Sequence, residues 1–323
     1  MTEPRRIPLT LLPTPMHRLD RLSDDLGVDL WIKRDDLTGF AMGGNKGRKL
    51  EYLMAEAQTQ RATTVVSCGS TQSNFIRQLG AACAMLGMRC AAAVCDLPFE
   101  PPFEPAGEGL PSQGGNVLLD EMLGVELHWS PNQTWTELYA RADALADERQ
   151  QRGETVYRIP IGGSSGLGAY AFYQAGQEAL AQGPEFDAVV TATSSGSTQA
   201  GLHRAFSEAG VRLIGIAADP EPDLGEDIAA VSAKLDALWG QSPKFNAHDF
   251  EVDVTFAQPA YGVPSATGNA AIELMARAEG IFLDPIYSGK AFAGLLAMVQ
   301  RGELEGRILF WHTGGTPSLF AHP

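Results

Sequence analysis

Short apolar runs of strand composition alternate along this sequence with longer segments of helical period, and that alternation leaves few folds open. In the first half the strand-like runs are 30–33, 63–67, 88–95, 125–128 and 156–159. Between them, Leu50, Leu53, Met54 and Ala57 recur at i, i+3, i+4 and i+7, and Ile76, Leu79, Cys83 and Leu86 repeat with a similar period. Helical segments are also expected at 115–123 and 135–149. The second half gives strands at 187–193, 211–217, 251–255, 281–283 and 307–311, with helices at 226–239, 266–279 and 289–300. Strand, helix and strand in repeated order build parallel sheets with helices on both faces, an α/β class. Residues 7–19, with three prolines, read as an extended lead-in, and 98–111, with five, as a wandering loop or flap.

The 323 residues, 44% hydrophobic, suffice for two lobes or one large domain. A net charge of −15 disfavours nucleic acid and anionic membrane as partners. No apolar leader and no membrane-length apolar span is seen, so a cytoplasmic setting is expected. Cys68, Cys83, Cys90 and Cys95 lack C-x-x-C spacing and sit mostly in an Ala-rich run, which favours buried free thiols. The six histidines show no metal-ligand spacing, and no metal is expected.

Chemistry concentrates at a few loops. Met42–Leu50 reads M-G-G-N-K-G-R-K-L, and the chain has only six lysines. Two glycines and an asparagine deliver Lys46 where a loop becomes a helix, with Asn45 a possible cap. An amine so placed suits a covalent bond to an aldehyde; an ordinary first-turn surface lysine is the alternative. The P-loop spacing is absent. Just upstream, Asp35 and Asp36 are either a solvated charge run or carboxylates that pin the loop through its backbone N–H groups.

Ser195-Gly196-Ser197-Thr198, between a strand and a helix, reads as a phosphate cradle or as a plain β-to-α turn. Ser70-Thr71-Gln72-Ser73-Asn74 crowds more hydroxyls and amides onto a helix start than a cap requires, and the surplus suits a carboxylate or an oxygen-bearing ring. Tyr261 and Tyr287 each follow a strand on a Gly/Pro-rich loop and are half-buried aromatics or site residues. His312-Thr313-Gly314-Gly315-Thr316 follows a buried strand; its glycines permit close approach to a flat ligand, and His312 reads as core. I-G-G-S-S-G-L-G at 161–168 reads as a glycine turn that misses the dinucleotide fingerprint.

These loops, in this order, resemble the fold type II (tryptophan synthase β-like) pyridoxal-phosphate enzymes, and within them the D-cysteine desulfhydrase and 1-aminocyclopropane-1-carboxylate (ACC) deaminase family. The similar runs include W-I-K-R-D-D-L-T-G, G-G-N-K-G-R-K-L-E, Q-S-N-F-I-R-Q, T-Q-A-G-L, A-Y-G-V-P, L-D-P-I-Y-S-G-K-A and H-T-G-G-T-P, and they span residues 12 to 317. The resemblance implies a cofactor, pyridoxal 5′-phosphate, between a small lobe of 51–163 and a large lobe of 1–50 plus 164–323. It implies that Lys46 holds the cofactor and moves the α-proton, and that Asn74 meets the ring oxygen. Ser195, Gly196, Ser197 and Thr198 would bind phosphate, and Thr313 would face the ring nitrogen. Ser73, with Gln72 and Phe75, would meet the substrate, Tyr287 would stack near the ring, and Tyr261 would line the substrate side. A small amino acid as substrate and a homodimer are expected.

Ser288 and Thr313 resemble the desulfhydrase branch, whereas the deaminase branch carries Glu and Leu there. A neutral Thr at the ring nitrogen suits β-elimination, in which a leaving group takes the electrons. Phe75 departs from both branches, which carry a polar residue after Ser-Asn. The expected reaction is therefore D-cysteine to pyruvate, hydrogen sulfide and ammonia. L-Cysteate losing sulfite and ACC deamination remain alternatives. A nicotinamide-dependent oxidoreductase and a non-catalytic cofactor binder are the readings from other classes.

Overall fold

The computed structural model describes residues 3–321 apart from Pro222. Two sheets organise it. The larger has six strands in the order β1-β2-β10-β7-β8-β9, with β1 (Met16–Arg18), β2 (Asp29–Arg34), β7 (Ala188–Thr193), β8 (Arg212–Ala217), β9 (Glu251–Asp253) and β10 (Arg307–His312). Only the β1–β2 pair is antiparallel. The smaller sheet is all parallel, in the order β5-β4-β3-β6, with β3 (Thr64–Ser70), β4 (Arg89–Cys95), β5 (Glu126–Trp129) and β6 (Val156–Arg158). The expected α/β class, with parallel sheets, is what the chain adopts.

Both faces of each sheet are covered, which is why the strands read as continuous apolar runs. On the large sheet, Ala188, Val190, Ile308 and Phe310 pack against α1 (Asp20–Leu26), α9 (Ala266–Glu279) and α10 (Ser288–Gln300). Val189, Leu213, Leu309 and Trp311 face the other way, onto α6 (Gly166–Gln182) and α7 (Ser197–Glu208). On the small sheet, Val65, Ala92 and Val94 meet α2 (Lys46–Thr59) and α3 (Asn74–Leu86), while Val66 and Ala91 meet α5 (Trp135–Gln151). Helices α4 (Gly115–Met122) and α8 (Leu224–Leu238) complete the set. All four cysteines are buried and free, and no described helix is long and apolar enough to cross a membrane.

Four expectations need correction. Residues 281–283 are not a strand. Ile281 and Leu283 are buried and Phe282 is exposed, so the alternation is real, but no ladder partner lies beside them. The 17-residue α6 starts directly after the 161–165 turn, where only a glycine turn was read. Its glycines lower helix propensity but admit neighbours: a side chain at Gly176 would meet Ala205 of α7 at 2.5 Å. Asn45 does not cap α2; its own backbone is already helical, and its side chain donates to Thr198 Oγ1 at 3.2 Å. Finally, Asp35 and Asp36 bind side chains rather than backbone N–H groups.

Asp35 is wholly buried and accepts from Arg48 Nε (3.0 Å) and Nη2 (2.8 Å), Trp311 Nε1 (3.0 Å) and Thr14 Oγ1 (2.9 Å). Arg48 also reaches both oxygens of Glu178 on α6, at 2.9 and 3.0 Å. Glu178 further accepts from Lys33 at 2.6 Å. Burial alone would raise the Glu178 pKa, but Arg48 and Lys33 together pull it down to about 2. A carboxylate depressed on folding stabilises the native state fully above its unfolded value, and the contribution fades as pH falls toward about 2.

Arg48→Met should destabilise the fold by about 3–5 kcal/mol, because it leaves the buried Asp35 carboxylate without a cation and removes one of the two that Glu178 holds. Glu178→Gln should flatten the loss of stability between about pH 5 and pH 2 relative to the parent chain. Denaturant melts across that pH range check both. An unchanged acid limb would show that the network has no such role.

Candidate active site

The carboxyl ends of both parallel sheets converge on one cleft, where loops of an α/β protein place ligands. It encloses a cavity of about 680 Å³. Lys46, Ser73, Asn74, Phe75, Ser195, Gly196, Thr198, Tyr261, Tyr287 and Thr313 all contribute to its wall. The sequence scatters these residues over more than 260 positions. Gln72 and Ser197 do not reach this wall.

Lys46 opens α2 and is partly accessible through the cavity. Its setting depends on glycine at two places. A side chain on Gly43 (φ +75°) would sit 1.8 Å from the Asp36 carbonyl oxygen, and one on Gly314 (φ +92°) would meet the Gly44 backbone at 2.5 Å. The terminal H-T-G-G turn is thereby laid against the lysine loop, and Asn45 N–H donates to the Thr313 carbonyl at 2.9 Å. Burial lowers the Lys46 pKa to about 8; a hydrogen bond to Lys49 and the charge of Asp284 act in the opposite sense. Lys46 forms no ion pair among the described residues, and its amine gives up its proton more readily than an ordinary lysine's, although most of it is still protonated at pH 7.

Lys49, one turn on, is fully buried, and its amine donates to the Gly162 carbonyl at 3.1 Å. Burial and then the Lys46 charge push its pKa well down. Two lysines pressed together without an acid in contact leave room for an anion. Sequence reasoning did not assign Lys49, although its i+3 spacing from Lys46 places both on one helix face.

Ser73 caps α3, accepting from Ile76 N–H at 3.3 Å. Asn74 Oδ1 is taken by Arg77 Nη1 (2.9 Å) and Asn116 Nδ2 (3.0 Å), which leaves its amide N–H groups as donors toward the cavity. Arg77 Nη2 donates to the Gly43 carbonyl at 2.9 Å and so ties this loop to the lysine loop. Gln72 spends its amide elsewhere, donating to the Pro111 carbonyl (2.7 Å) and accepting from Asn116 N–H (2.8 Å). Phe75 is 2% exposed and packs with the small-sheet core.

Ser197 begins α7; its hydroxyl is buried with no partner among the described residues. The first N–H groups of a helix have no intrahelical acceptors, and here they open beside Ser195, Gly196 and Thr198. Gly196 has φ +85°.

Tyr261 and Tyr287 join hydroxyls at 2.5 Å, and Ser70 Oγ lies 3.4 Å from Tyr261. Burial pushes Tyr261 up to about 12 and Tyr287 well above its ordinary value, so both stay protonated. Asp284, which sequence reasoning passed over, accepts the N–H groups of Ile286, Tyr287 and Ser288 and the Ser288 hydroxyl at 2.6–3.0 Å. It fixes the Tyr287 turn; an Asp just before a helix start was the available signal. Ser288 therefore faces Asp284 and not the cavity. His312 is buried, accepts from Gly314 N–H through Nδ1 at 3.2 Å, and lies 3.0 Å from the Phe282 carbonyl through Nε2, as a core residue would.

A lysine of lowered basicity, free amide donors and a helix N-terminus border one cavity. That donor set fits an aldehyde-bearing, phosphorylated aromatic ring. The family model described as pyridoxal-phosphate dependent enzyme matches residues 7–314. The chain belongs to the pyridoxal-phosphate-dependent enzymes. It is 38% identical to D-cysteine desulfhydrases of Salmonella typhi and Salmonella newport, over 98% of this chain and 96% of theirs. A crystal structure of an ACC deaminase homologue superposes with a TM-score of 0.86 at 32% identity, covering 98% of this chain and 93% of that one. O-ureido-L-serine synthase, at 18% identity and a TM-score of 0.64, shares the fold. The expected family, fold type and cofactor are thus borne out.

Lys46→Ala should abolish the visible absorbance that the chain acquires with pyridoxal 5′-phosphate. Because the free amine titrates at about 8, covalent capture of added cofactor by the apo-protein should speed up as pH rises through that value and then level off. Stopped-flow absorbance reads the profile; a midpoint near that of an ordinary lysine would refute the burial argument.

Proposed function

We propose that the chain is a carbon–sulfur lyase that eliminates a β-substituent from an amino acid, in the manner of D-cysteine to pyruvate, hydrogen sulfide and ammonia. The observation that carries this is the convergence of Lys46, Ser73 and the Tyr261–Tyr287 pair on one cavity with Thr313. When bound, the cofactor supplies an aldehyde for the covalent bond and a ring that accepts an electron pair.

The chain's own groups do the rest. Lys46 would hold the cofactor, and its amine, when free and uncharged, would take the α-proton of the substrate. Ser73 at the head of α3 binds the substrate carboxylate, where the helix N-terminus favours negative charge. Asn74 would donate to the ring oxygen, and the start of α7 with Ser195, Gly196, Ser197 and Thr198 would receive the phosphate. Tyr261 and Tyr287 hold protons up to high pH and can give one to the departing thiolate. Thr313 would offer the ring nitrogen no charge, which makes the ring a weaker electron acceptor and suits a reaction in which a leaving group finally carries off the electrons. That favours β-elimination over opening of a carbon ring. Gln72 holds the 111–116 segment behind the site, and Phe75 supplies an apolar wall.

The same reading includes two lobes, 51–163 against 1–50 plus 164–323, with the cofactor between them. It also includes a cytoplasmic homodimer.

Pyruvate should form from D-cysteine or β-chloroalanine faster than α-ketobutyrate forms from ACC, measured on the holoenzyme. The reverse ranking would remove the basis of the Thr313 argument. Tyr287→Phe should slow elimination of a thiolate by about 10²–10⁴-fold, the ordinary worth of a positioned acid, and should slow chloride loss less, because chloride needs no proton. Equal losses for the two substrates would count against proton donation by the pair.

A further inference from the structure

Beyond Lys46 the cavity changes character. Five carboxylates, Glu100, Asp219, Glu221, Asp223 and Asp227, belong to its wall, with Lys234 the one other cation there. None of the five is among the ion-paired acids of the described residues, whereas Asp35, Glu51 and Asp236 are each bound by an arginine. Asp219 is 5% exposed, and its one side-chain hydrogen-bond partner among the described residues, Ser194 Oγ, stands at 3.5 Å. That is longer than the roughly 2.5–3.0 Å of an O–H···O bond. Next to Ser194, Thr193 also borders the cavity; it is 3% exposed, and its buried hydroxyl has no partner among the described residues. Buried polar atoms left open in this way are what a ligand satisfies.

The charge is answered only in part from within: the Lys290 charge and the Ser194 hydroxyl favour ionised Asp219, and a hydrogen bond from Trp135 favours ionised Glu221, but burial and the neighbouring acids outweigh them. Burial and then Glu221 push the Asp219 carboxyl well up; burial, then Asp227 and Glu100, push Glu221 up to about 7. The Lys290 charge reaches Asp219 without forming an ion pair, since its amine donates to the Ala257 and Ala260 carbonyls at 2.9 and 3.0 Å. Trp135, Tyr139 and Phe103 border the same part of the cavity, and aromatic faces beside carboxylates attract organic cations. Among the described residues no three acid, histidine or cysteine groups are placed to hold a metal ion. The carboxylates surround a space rather than a point.

We propose that the substrate of this lyase is a β-substituted amino acid whose leaving group carries a positive charge, of the class of S-(2-aminoethyl)cysteine, and that Asp219 and Glu221 with Trp135 and Tyr139 hold that ammonium. This rests on the elimination reading above. The α-proton and the C–S bond are lost, and the thiolate leaves with the bonding pair and takes a proton. With one water consumed, the products are pyruvate, ammonia and cysteamine. A sulfonate leaving group would meet the same carboxylates as repulsion, so cysteate is disfavoured.

The test compares the holoenzyme on S-(2-aminoethyl)cysteine and its uncharged isostere S-propylcysteine, each as both enantiomers, with β-chloroalanine as a control for elimination. Pyruvate release should favour the cationic substrate by roughly tenfold or more in kcat/KM, the worth of one charge-assisted contact. Asp219→Asn with Glu221→Gln should collapse that ratio toward one, while the visible absorbance of the bound cofactor reports that the variant is folded. Choline, which lacks a primary amine and cannot bond to the aldehyde, should bind the parent holoenzyme by calorimetry and bind the double variant at least tenfold more weakly. Pyruvate from β-chloroalanine with no preference for the ammonium overturns the inference and leaves the elimination reading standing. No pyruvate from any of these overturns the elimination reading, and absence of choline binding would then dispose of the cation site as well.

Discussion

The position of Lys46 depends on a buried ion pair that never touches the cavity. Asp35 follows directly on β2, Arg48 lies in the first turn of α2, and between them they gather Thr14, Trp311 of β10 and Glu178 of α6. An arginine with rigid planar geometry, held by two carboxylates at 2.8–3.0 Å, leaves the helix start little freedom to rotate or slide. Lys46 is two residues upstream and inherits that rigidity. The amine can therefore be left without a charge partner of its own. Its orientation is supplied from outside, so its low basicity does not cost its placement.

A second constraint acts from the other side. The Gly43-Gly44 backbone receives the Arg77 guanidinium from α3 and lies against the Gly314 backbone from the chain's end. Three segments far apart in sequence are locked through glycines and main-chain carbonyls. Ser73 and Asn74 belong to the segment that Arg77 ties down, so the groups for substrate carboxylate and ring oxygen are referenced to the same loop as the lysine.

The strand–helix alternation and most of the pocket residues were legible because each rests on local pattern: apolar runs, small-residue turns before helices, a lysine after paired glycines. What escaped depended on partners far along the chain. Helix α6 was hidden by glycines whose value lies in packing on α7. The 281–283 run alternates like a strand but has no neighbour to bond. Gln72 looked like a site residue because its neighbours are, yet its amide is consumed by the 111–116 segment. Asp35 read as part of a solvated charge run or as a loop pin through N–H groups, while its actual partners are an arginine, a tryptophan and a threonine, two of them distant in sequence. Nothing in local spacing encodes those contacts.

The distribution of charge along the cavity follows from the same architecture. At one end the first turn of α2 brings in Lys46 and Lys49 beside the start of α7, a positive region suited to a phosphate. At the other, the segment after β8 contributes Asp219, Glu221 and Asp223, and Asp227 follows on α8. Each end alone would be unfavourable to bury, since like charges in a low-dielectric cleft disfavour their own ionisation. A bound molecule with an anionic group at one end and a cationic group at the other relieves both. The protein need not change shape to discriminate. A substrate whose distal group is negative or neutral leaves the acidic end unrelieved, and the cost of that end then counts against its binding.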